Sequence, residues 1–381
     1  MITSKDKKDC CGCAACMSAC NKKAITMVAD NTLGFLYPQI NTSLCVNCGK
    51  CDLICQFKDN YNRYDNYNKP YVYAMRPLDE KELMKSQSGA AFFILSNIIL
   101  EEGGTVYGAV FDEKFNVIHS RATTKEEREK MRMSKYVQSD IQNIYPLIKN
   151  DLLEGKKVLF SGTPCQVAAI RSFLGKKLSE KLYTIDIICH GVPSPKVWSD
   201  YLKYLKKKYH KSIISIITRD KKYGWASHNE TYILEDGTKK TRATFRELFY
   251  RHYIVRDSCS NCKFTNTKRV SDITIGDFWG WEKYHNDFMD NKGISLIYIN
   301  SDKGKELFEK TKSKAIIIPS NIQESLQPQL QHPIALPNNR QEFINDYKKH
   351  NFRYIANKYS DTSLYYQFHS FIFNLLAKLK K

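Results

Sequence analysis

The sequence lacks the long apolar run that a membrane-spanning helix requires. Such a helix needs about 18 or more consecutive apolar residues, whereas the longest apolar stretch, residues 90–100, is interrupted by Ser96 and Asn97. The first residues also lack the apolar core of an export signal. We therefore expect a cytoplasmic protein with no membrane span.

Acidic residues are scarce relative to basic ones, with 40 Asp and Glu against 59 Lys and Arg and a formal net charge of +19. A solvated helix face explains such an excess, and so does an acidic partner protein or a polyanionic cofactor. No recognisable nucleic-acid-binding module accompanies the charge, so we expect no nucleic-acid partner. The clearest basic run is Lys203, Lys206, Lys207, Lys208 and Lys211.

Cysteine, in contrast, is abundant, and eight of the 13 cysteines form two runs with the same C-x2-C-x2-C-x3-C spacing. This spacing is typical of bacterial ferredoxins, in which the fourth cysteine of each run ligates the cluster of the other run. We assign a first cluster site to Cys10, Cys13, Cys16 and Cys55. We assign a second cluster site to Cys45, Cys48, Cys51 and Cys20.

Zinc and disulfides fit the two runs less well. Zinc sites use cysteine pairs separated by a longer spacer, and disulfides belong to exported proteins. Asn21 and Gln56 replace the proline that usually follows the fourth cysteine, but proline is not a ligand. Cys11 is left over and is interpreted as a spare thiol.

The region between the runs predicts a hairpin, with strands at residues 24–28 and 35–38 around a turn at Gly34. A polar linker at residues 58–69 marks a domain boundary near residue 65. Strands then alternate with helices. Ser86 or Ser88 is the candidate cap of a helix at residues 90–102. A meander is expected at residues 213–217, 232–234 and 239–243. The predicted fold class is therefore an α+β ferredoxin-like module followed by a mixed α/β domain.

Four further cysteines remain after the two runs and Cys11 are set aside. Cys165 and Cys189 each follow a buried-type strand, whereas Cys259 and Cys262 form a C-x2-C loop. Four thiolates are the number that another cubane requires. A zinc knuckle or unrelated buried cysteines are the alternatives at this point. These four residues are termed the third cluster site.

Several motifs together resemble the coenzyme F420 hydrogenase/dehydrogenase beta-subunit family, here with a ferredoxin module at the N-terminal side. The resemblance spans residues 1 to about 320, and the motifs occur in the order found in the family. One departure is Ala90, where many members have glycine. The motifs are residues 86–89, 134–139, 161–166, 189–191, 258–262 and 271–280.

The resemblance implies a flavin, FAD or FMN, beside a third [4Fe–4S] cluster. It also implies a beta-subunit N-terminal domain at residues 66–150 and a C-terminal domain at 151–320, after a ferredoxin domain at 1–62. The resemblance does not cover the basic helical tail at 321–381, which ends in a helix predicted at residues 365–379. The flavin contacts that it implies are Ser86, Gln87, Ser88, Gly89, Lys135, Gln138, Thr163 and Gln166.

The function expected from the motifs and the resemblance is an iron–sulfur flavoprotein oxidoreductase that links hydride transfer at a flavin to one-electron transfer. An electron-relay subunit without its own substrate is the alternative, and a zinc-holding scaffold is a third. The expected partner is a redox protein or a reduced cofactor, and a homo-oligomer is compatible with the sequence. His190 and Asp277 are the candidate catalytic acids, although structural roles are favoured for both.

Overall fold

The computed structural model describes residues 6–57 and 66–361. The predicted linker boundary near residue 65 and the predicted terminal helix at 365–379 lie outside the described residues. Most of the chain is organised around a mixed eight-stranded sheet of order β13-β3-β12-β11-β7-β6-β4-β5. Its strands are β3 (Tyr71–Pro77), β4 (Thr105–Phe111), β5 (Val117–Ala122), β6 (Val158–Gly162), β7 (Leu182–Ile187), β11 (Ile273–Asp277), β12 (Ser295–Ile299) and β13 (Ala315–Ser320).

The centre of this sheet is parallel and its edges are antiparallel. Strands β4, β6, β7 and β11 run parallel to one another, whereas β5, β12, β3 and β13 pair antiparallel with their neighbours. A mixed α/β architecture is therefore confirmed. Strand β3 lies inside the same sheet as β12 and β13, so the sheet crosses the boundary predicted near residue 150.

Alternating side chains direct the two faces of the sheet into separate cores. Leu159 packs with α4 and α10 on one face, whereas the next residue, Phe160, packs with α6 and α7 on the other. This follows from the two-residue period of a strand. The helices are α3 (Glu80–Met84), α4 (Ala91–Glu101), α5 (Lys125–Glu129), α6 (Ile144–Leu153), α7 (Pro164–Ser179) and α10 (Asp302–Glu309).

A second, antiparallel sheet of order β10-β9-β8 packs beside the first under a cover of aromatic-rich helices. Trp198, Tyr201 and Phe245 are buried at the centre of this core. Its elements are α8 (Pro195–Tyr209), β8 (Ile213–Ile217), β9 (Glu230–Leu234), β10 (Lys239–Arg242), α9 (Thr244–Tyr250), α12 (Arg340–Lys349) and α13 (Phe352–Tyr359). The short helix α11 (Ile322–Ser325) packs instead against β3 and β12 of the large sheet.

The N-terminal module is a small hairpin with a short helix after each cysteine loop. Strands β1 (Ile25–Ala29) and β2 (Leu36–Ile40) pair antiparallel, as predicted. Helix α1 covers Ala15–Ser18 and helix α2 covers Lys50–Leu53. Helix α1 packs against α6 and α7, so the module lies on the face of the large sheet that these helices cover.

Within the described part of the chain, no helix combines the length and the apolar character that crossing a membrane would require.

Candidate functional site

The two cysteine loops follow the same backbone path. Gly12 and Ala14 flank the second cysteine of the first run with φ angles of 68° and 60°. Asn47 and Gly49 flank the second cysteine of the other run with φ angles of 52° and 71°. Left-handed residues in such turns direct successive amides to one side, and the resulting concavities are found at many iron–sulfur sites. The geometry fits the same kind of group in both loops.

The first cluster site is enclosed. Gln56, at 1% exposure, closes the cavity from the side of the large sheet. Its Nε2 donates hydrogen bonds to Sγ of Cys13 at 3.2 Å and Sγ of Cys11 at 3.0 Å. The residue that replaces the usual proline therefore contacts the sulfurs. The predicted ligands that line this cavity are Cys10, Cys13, Cys16 and Cys55.

The second cluster site is more open. Cys20 and Cys51 pack in one small apolar cluster beneath the hairpin. Cys45 is half-buried and Cys48 is exposed, on the loop that leads into α2. One side of the predicted site is thus packed inside the module and the other faces solvent.

The third cluster site is assembled from three separate places in the chain. Strands β6 and β7 are parallel neighbours, so Cys165 and Cys189 lie at one edge of the sheet, as expected. Cys259 lies in the short 3-10 turn Asp257–Asn261, and Cys262 follows it. All four cysteines line one small cavity. Burial raises the pKa of Cys259 to about 12 and that of Cys262 to about 11, whereas coordination to a metal would deprotonate them.

Cys11 lies between the first and third cluster sites and lines both cavities. It is 8% exposed. Its Sγ accepts a hydrogen bond from Nε2 of Gln56 at 3.0 Å, and its interaction with Cys13 is the main cause of the lowered pKa of that thiol, about 6. The cysteine interpreted as spare therefore bridges two ligand sets in space.

Among residues 6–57 and 66–361, no three His, Cys, Asp or Glu side chains converge closely enough to hold a single metal ion. A cubane distributes its four irons over separate corners, so its cysteines surround a volume and do not converge on one point.

A much larger cavity, of about 500 Å³, lies beyond the third cluster site. Its floor is formed by the carboxyl ends of β6, β7 and β11, the position at which open α/β sheets bind ligands. Six of the eight flavin contacts implied by the resemblance line it. They are Ser86, Gln87, Ser88, Lys135, Thr163 and Gln166.

The other two implied contacts lie elsewhere. Gly89 packs against the sheet, and a Cβ at this position would lie 2.1 Å from the carbonyl oxygen of Met75. Gln138 lines the small cavity of the third cluster site, and its Nε2 donates to the carbonyl of Cys11 at 2.9 Å. Their assignment as flavin contacts stays a prediction.

The loop before α4 has an unusual backbone. Ser88 and Ala90 have positive φ angles of 50° and 61°, which residues with a side chain seldom adopt. The glycine common in the family at position 90 suits this conformation. The expected capping of α4 by Ser86 or Ser88 was wrong: Ala90 occupies the N-cap without a side-chain bond. Ser88 instead donates to the carbonyl of Ile294 at 2.6 Å.

Lys221 anchors the loop before α4 through two hydrogen bonds. Its Nζ donates to the carbonyl oxygens of Leu83 and Ser88, each at 2.7 Å. Burial lowers the pKa of Lys221 to about 7. Sequence reasoning missed this residue because a single lysine in a basic chain carries no signal.

Several buried polar atoms of cavity-lining residues have no hydrogen-bond partner within the described ranges. Buried polar groups are nearly always paired, so these atoms are suited to a polar ligand. His119 is the least expected of them, since an isolated histidine in a strand gives no sequence signal. The atoms are Oε1 of Gln87, Nδ1 of His119, Nε of Arg132 and Nε of Arg219.

The cavity wall also carries positive charge. Arg132, Lys135 and Arg219 all line it. Burial lowers the pKa of Lys135 to about 7, and its Nζ donates to the carbonyl of Arg132 at 2.7 Å. The ammonium and guanidinium groups, beside the N-terminus of α4, provide a site suited to an anion such as a phosphate.

Aromatic rings form the opposite wall. The rings of Trp225 and Trp279 stack with centroids 4.5 Å apart, and the Arg219 guanidinium lies 5.5 Å from Trp279. Asp277 accepts hydrogen bonds from Arg219 at 2.6 Å and from Trp225 at 2.6 Å. Asp277 thus fixes the positions of Arg219 and Trp225 in this wall, which agrees with the structural role favoured from the sequence.

His190 lies where the large cavity meets the third cluster site. Its Nε2 is 2.8 Å from Nε2 of His252, and its Nδ1 accepts from Gln329 at 2.7 Å. Burial lowers its pKa to about 4, so the imidazole is neutral at pH 7. The two cavities share this wall, whose residues are Thr163, Gln166, Cys189, His190, Gly191, Val192 and Gln329.

Comparison with known proteins agrees with the motifs. Residues 155–325 match the family model that describes the C-terminal part of the beta subunit of coenzyme F420 hydrogenase/dehydrogenase. The match covers less than half of the chain, and over these residues the chain is similar to the beta-subunit family. The matched region carries all four cysteines of the third cluster site. The family is that of an oxidoreductase subunit, which associates the chain with redox electron transfer.

Among solved structures, the chain is similar to one from the F420-reducing [NiFe] hydrogenase complex of Methanosarcina barkeri. The two share 18% sequence identity with a TM-score of 0.47, over 75% of this chain and 91% of the other. No curated protein matches the chain.

Proposed function

We propose that the chain is an iron–sulfur flavoprotein oxidoreductase. In this proposal, a flavin, FAD or FMN, occupies the large cavity, and three [4Fe–4S] clusters occupy the three cysteine sites. The observation that carries the proposal is the contiguity of the cavities. The large cavity shares a wall with the third cluster site, and Cys11 lines both this site and the first.

The residues of the large cavity fit a flavin. About 500 Å³ lies within the range of roughly 300–1,000 Å³ that cofactor sites occupy. Arg132 and Lys135 would neutralise phosphate, and the unpaired Nδ1 of His119 and Oε1 of Gln87 would bind polar edges. When bound, a flavin exchanges a hydride with a two-electron partner and passes single electrons to clusters.

The chain's own residues place these groups in series. Cys189 lines both the large cavity and the third cluster site, so no separate element lies between them. Gln56 donates to Cys13 of the first site, and its Nε2 lies 3.3 Å from the carbonyl oxygen of Cys165 of the third. The proposed order is therefore flavin, third site, first site and second site.

The second cluster site is the proposed contact point for a redox partner protein. Three large apolar side chains stand exposed on the segment that carries Cys45, Cys48 and Cys51. A surface of this kind beside an exposed cysteine suits transient docking of an electron carrier. The three residues are Leu44, Val46 and Leu53, with 49%, 60% and 77% exposure.

An electron-relay subunit without its own substrate is the second candidate. It is favoured because the two side chains considered as catalytic acids are already engaged in hydrogen bonds within the protein. His190 is held between Gln329 and His252, and Asp277 between Arg219 and Trp225. Turnover of a small hydride donor or acceptor by the isolated chain, with a viologen as one-electron partner, separates the two candidates.

Anaerobic purification followed by iron, zinc, sulfide and flavin analysis tests the proposal. Three cubanes predict about 12 irons per chain with one flavin, and two predict about eight. Zinc without iron would contradict the proposal, and iron without flavin would contradict its flavoprotein part.

A matched pair of variants tests the third site. Cys259→Ser is expected to remove about four irons and to leave the ferredoxin-type signals in place. Cys11→Ala alters a buried thiol between the cavities of the first and third sites and is expected to retain all the iron. Equal iron in both variants would refute the assigned ligand set.

A further inference from the structure

One buried arginine lacks the partner that every comparable arginine has. Eight arginines are buried in the part of the chain that the structure describes. Seven of them form ion pairs with carboxylates: Arg76, Arg128, Arg132, Arg171, Arg219, Arg269 and Arg340. The eighth, Arg256, is fully buried and pairs with no carboxylate among residues 6–57 and 66–361.

The guanidinium of Arg256 is directed into the first cysteine loop. Its Nε donates to the carbonyl of Cys10 at 2.7 Å, and its Nη2 lies 3.8 Å from Sγ of the same residue. A second bond from Nη2 reaches the carbonyl of Leu36 at 2.8 Å. Gly12 is required here, because a Cβ at this position would lie 2.6 Å from Nη1 of Arg256.

Neutral groups complete the surroundings. Nη1 donates to Oε1 of Gln138 at 3.1 Å, and the guanidinium stacks 4.3 Å from the ring of Tyr37. Carboxylates on the adjoining turns are engaged elsewhere. Asp257 pairs with Arg340, and Asp9 accepts from Asn261 at 3.0 Å.

A buried charge without a counter-charge is strongly destabilising, so a structure that retains one supplies the opposite charge nearby. The thiol that the guanidinium contacts is that of Cys10, a predicted ligand of the first cluster site, and it would become anionic on binding iron. Arg256 also lines the cavity of the third site, where no such contact with a thiol is seen among the described residues. A thiolate-ligated cluster is negatively charged and becomes more negative on reduction.

We propose that Arg256 is the counter-ion of the first cluster and thereby raises its reduction potential. The proposal rests on the proposed function, since it requires a cluster at Cys10, Cys13, Cys16 and Cys55. Arg256 also begins the turn that carries Cys259, because the amide of Cys259 donates to its carbonyl at 3.0 Å. One residue thus connects the ligand loop of the third site with the charge of the first.

The test is a redox titration monitored by electron paramagnetic resonance on the anaerobically purified full chain. Arg256→Gln removes the charge and retains a polar side chain. We expect the potential of one cluster to become more negative, by about a tenfold change in its reduction equilibrium, or about 59 mV for one electron. The potential of the second cluster and the iron and flavin contents should not change, and any shift at the third site, whose cavity Arg256 also lines, should be the smaller one. The affected signal should be the one that Cys16→Ser abolishes.

Two variants separate charge from packing. Arg256→Lys retains the charge and loses part of the hydrogen bonding, so its potential should stay close to that of the original protein. Tyr145→Phe removes a neutral anchor of the same loop, the 2.6 Å bond from its hydroxyl to the carbonyl of Cys13, and should also leave the potential in place.

Unchanged potentials in an iron-replete Arg256→Gln protein would overturn the proposal, as would equal shifts in Arg256→Gln and Tyr145→Phe. If Arg256→Gln loses the cluster, Arg256→Lys decides: retention at the original potential supports the proposal, and loss makes Arg256 a structural clamp only. Absence of iron from the original protein would instead refute the proposed function, before any potential is measured.

Discussion

The first and second cluster sites have the same cysteine spacing, and their loops have left-handed backbone at the same two positions. Their surroundings differ. Gly12 of the first loop touches the buried guanidinium of Arg256, whereas a Cβ at Gly49 of the second would meet nothing within 4 Å. Cys16 is buried and Cys48 is exposed. The difference teaches that one local motif provides two kinds of site, one facing the body of the protein and one facing outwards.

This asymmetry gives the module a direction. The enclosed first site connects through Gln56 and Cys11 to the third site and the large cavity. In the proposed function, the open second site, with its exposed apolar rim, is the place where an external redox partner docks. Electrostatics favours the same direction. The buried cation Arg256 beside the first site would stabilise an added electron there relative to the second site.

The largest effect that sharpens the comparison is expected from removing one ligand from each site. Cys16→Ser and Cys48→Ser should each remove about four irons, because each cubane depends on four thiolates. Only Cys16→Ser, at a buried position beside the body, should also lower the thermal unfolding temperature appreciably. Iron analysis and unfolding scans check both points.

Loss of all module iron from either single variant would break the comparison, since the two sites would then form one cooperative unit. Cys11→Ala is the control for substitution of a buried cysteine that is not a proposed ligand.

An effect of intermediate size is expected at the rim of the second site. Leu53→Glu places a negative charge on a side chain with 77% exposure. Because the chain has a net charge of +19, an acidic partner is favoured, and the new charge should slow its docking about tenfold. Stopped-flow reduction by an acidic plant-type ferredoxin measures this rate.

Leu153→Glu is the matched control, since Leu153 is a leucine with 63% exposure at the end of α6, in the body of the protein. Reduction by a small viologen should be unaffected in both variants. Equal slowing by Leu53→Glu and Leu153→Glu would mean that electrons do not enter at the second site.

The smallest effect on either cluster is expected from Glu230, which is buried in β9, outside all three cavities. Burial raises its pKa to about 8. The folded state therefore keeps a proton that the unfolded state releases, and the free energy of unfolding should fall as pH rises from about 4.5 to about 8.

Glu230→Gln should remove most of this decline, a gain on the order of a few kcal/mol at pH 8, and leave the difference between the two cluster sites intact. Anaerobic denaturant unfolding at pH 5 and pH 8 measures it, with the exposed Glu235→Gln as control. A pH dependence equal to that of the original protein would mean that Glu230 does not set it.

Much of the local structure could be predicted from the sequence. The hairpin between the cysteine runs, the strands before Cys165 and Cys189, and the β8–β10 meander all form where turn residues and apolar patterns indicate. The prediction failed for the cap of α4. Neither Ser86 nor Ser88 caps this helix, because Ser88 donates instead to the carbonyl of Ile294, just before β12. The cluster occupancy, the flavin contacts and the domain boundaries stay predictions.

By itself the sequence determined the two cysteine runs and hence the ligands predicted for the first and second sites, because cysteine spacing is a local property of the chain. Only the tertiary structure decided how these sets are arranged. Arg256 meets Cys10 across 246 positions of sequence, and Gln56 meets Cys165 across 109. Such pairings leave no periodic or local trace, since they arise when separate elements pack. The two equal cysteine runs therefore became unequal only on folding, when one was packed against the sheet and the other was left exposed to solvent.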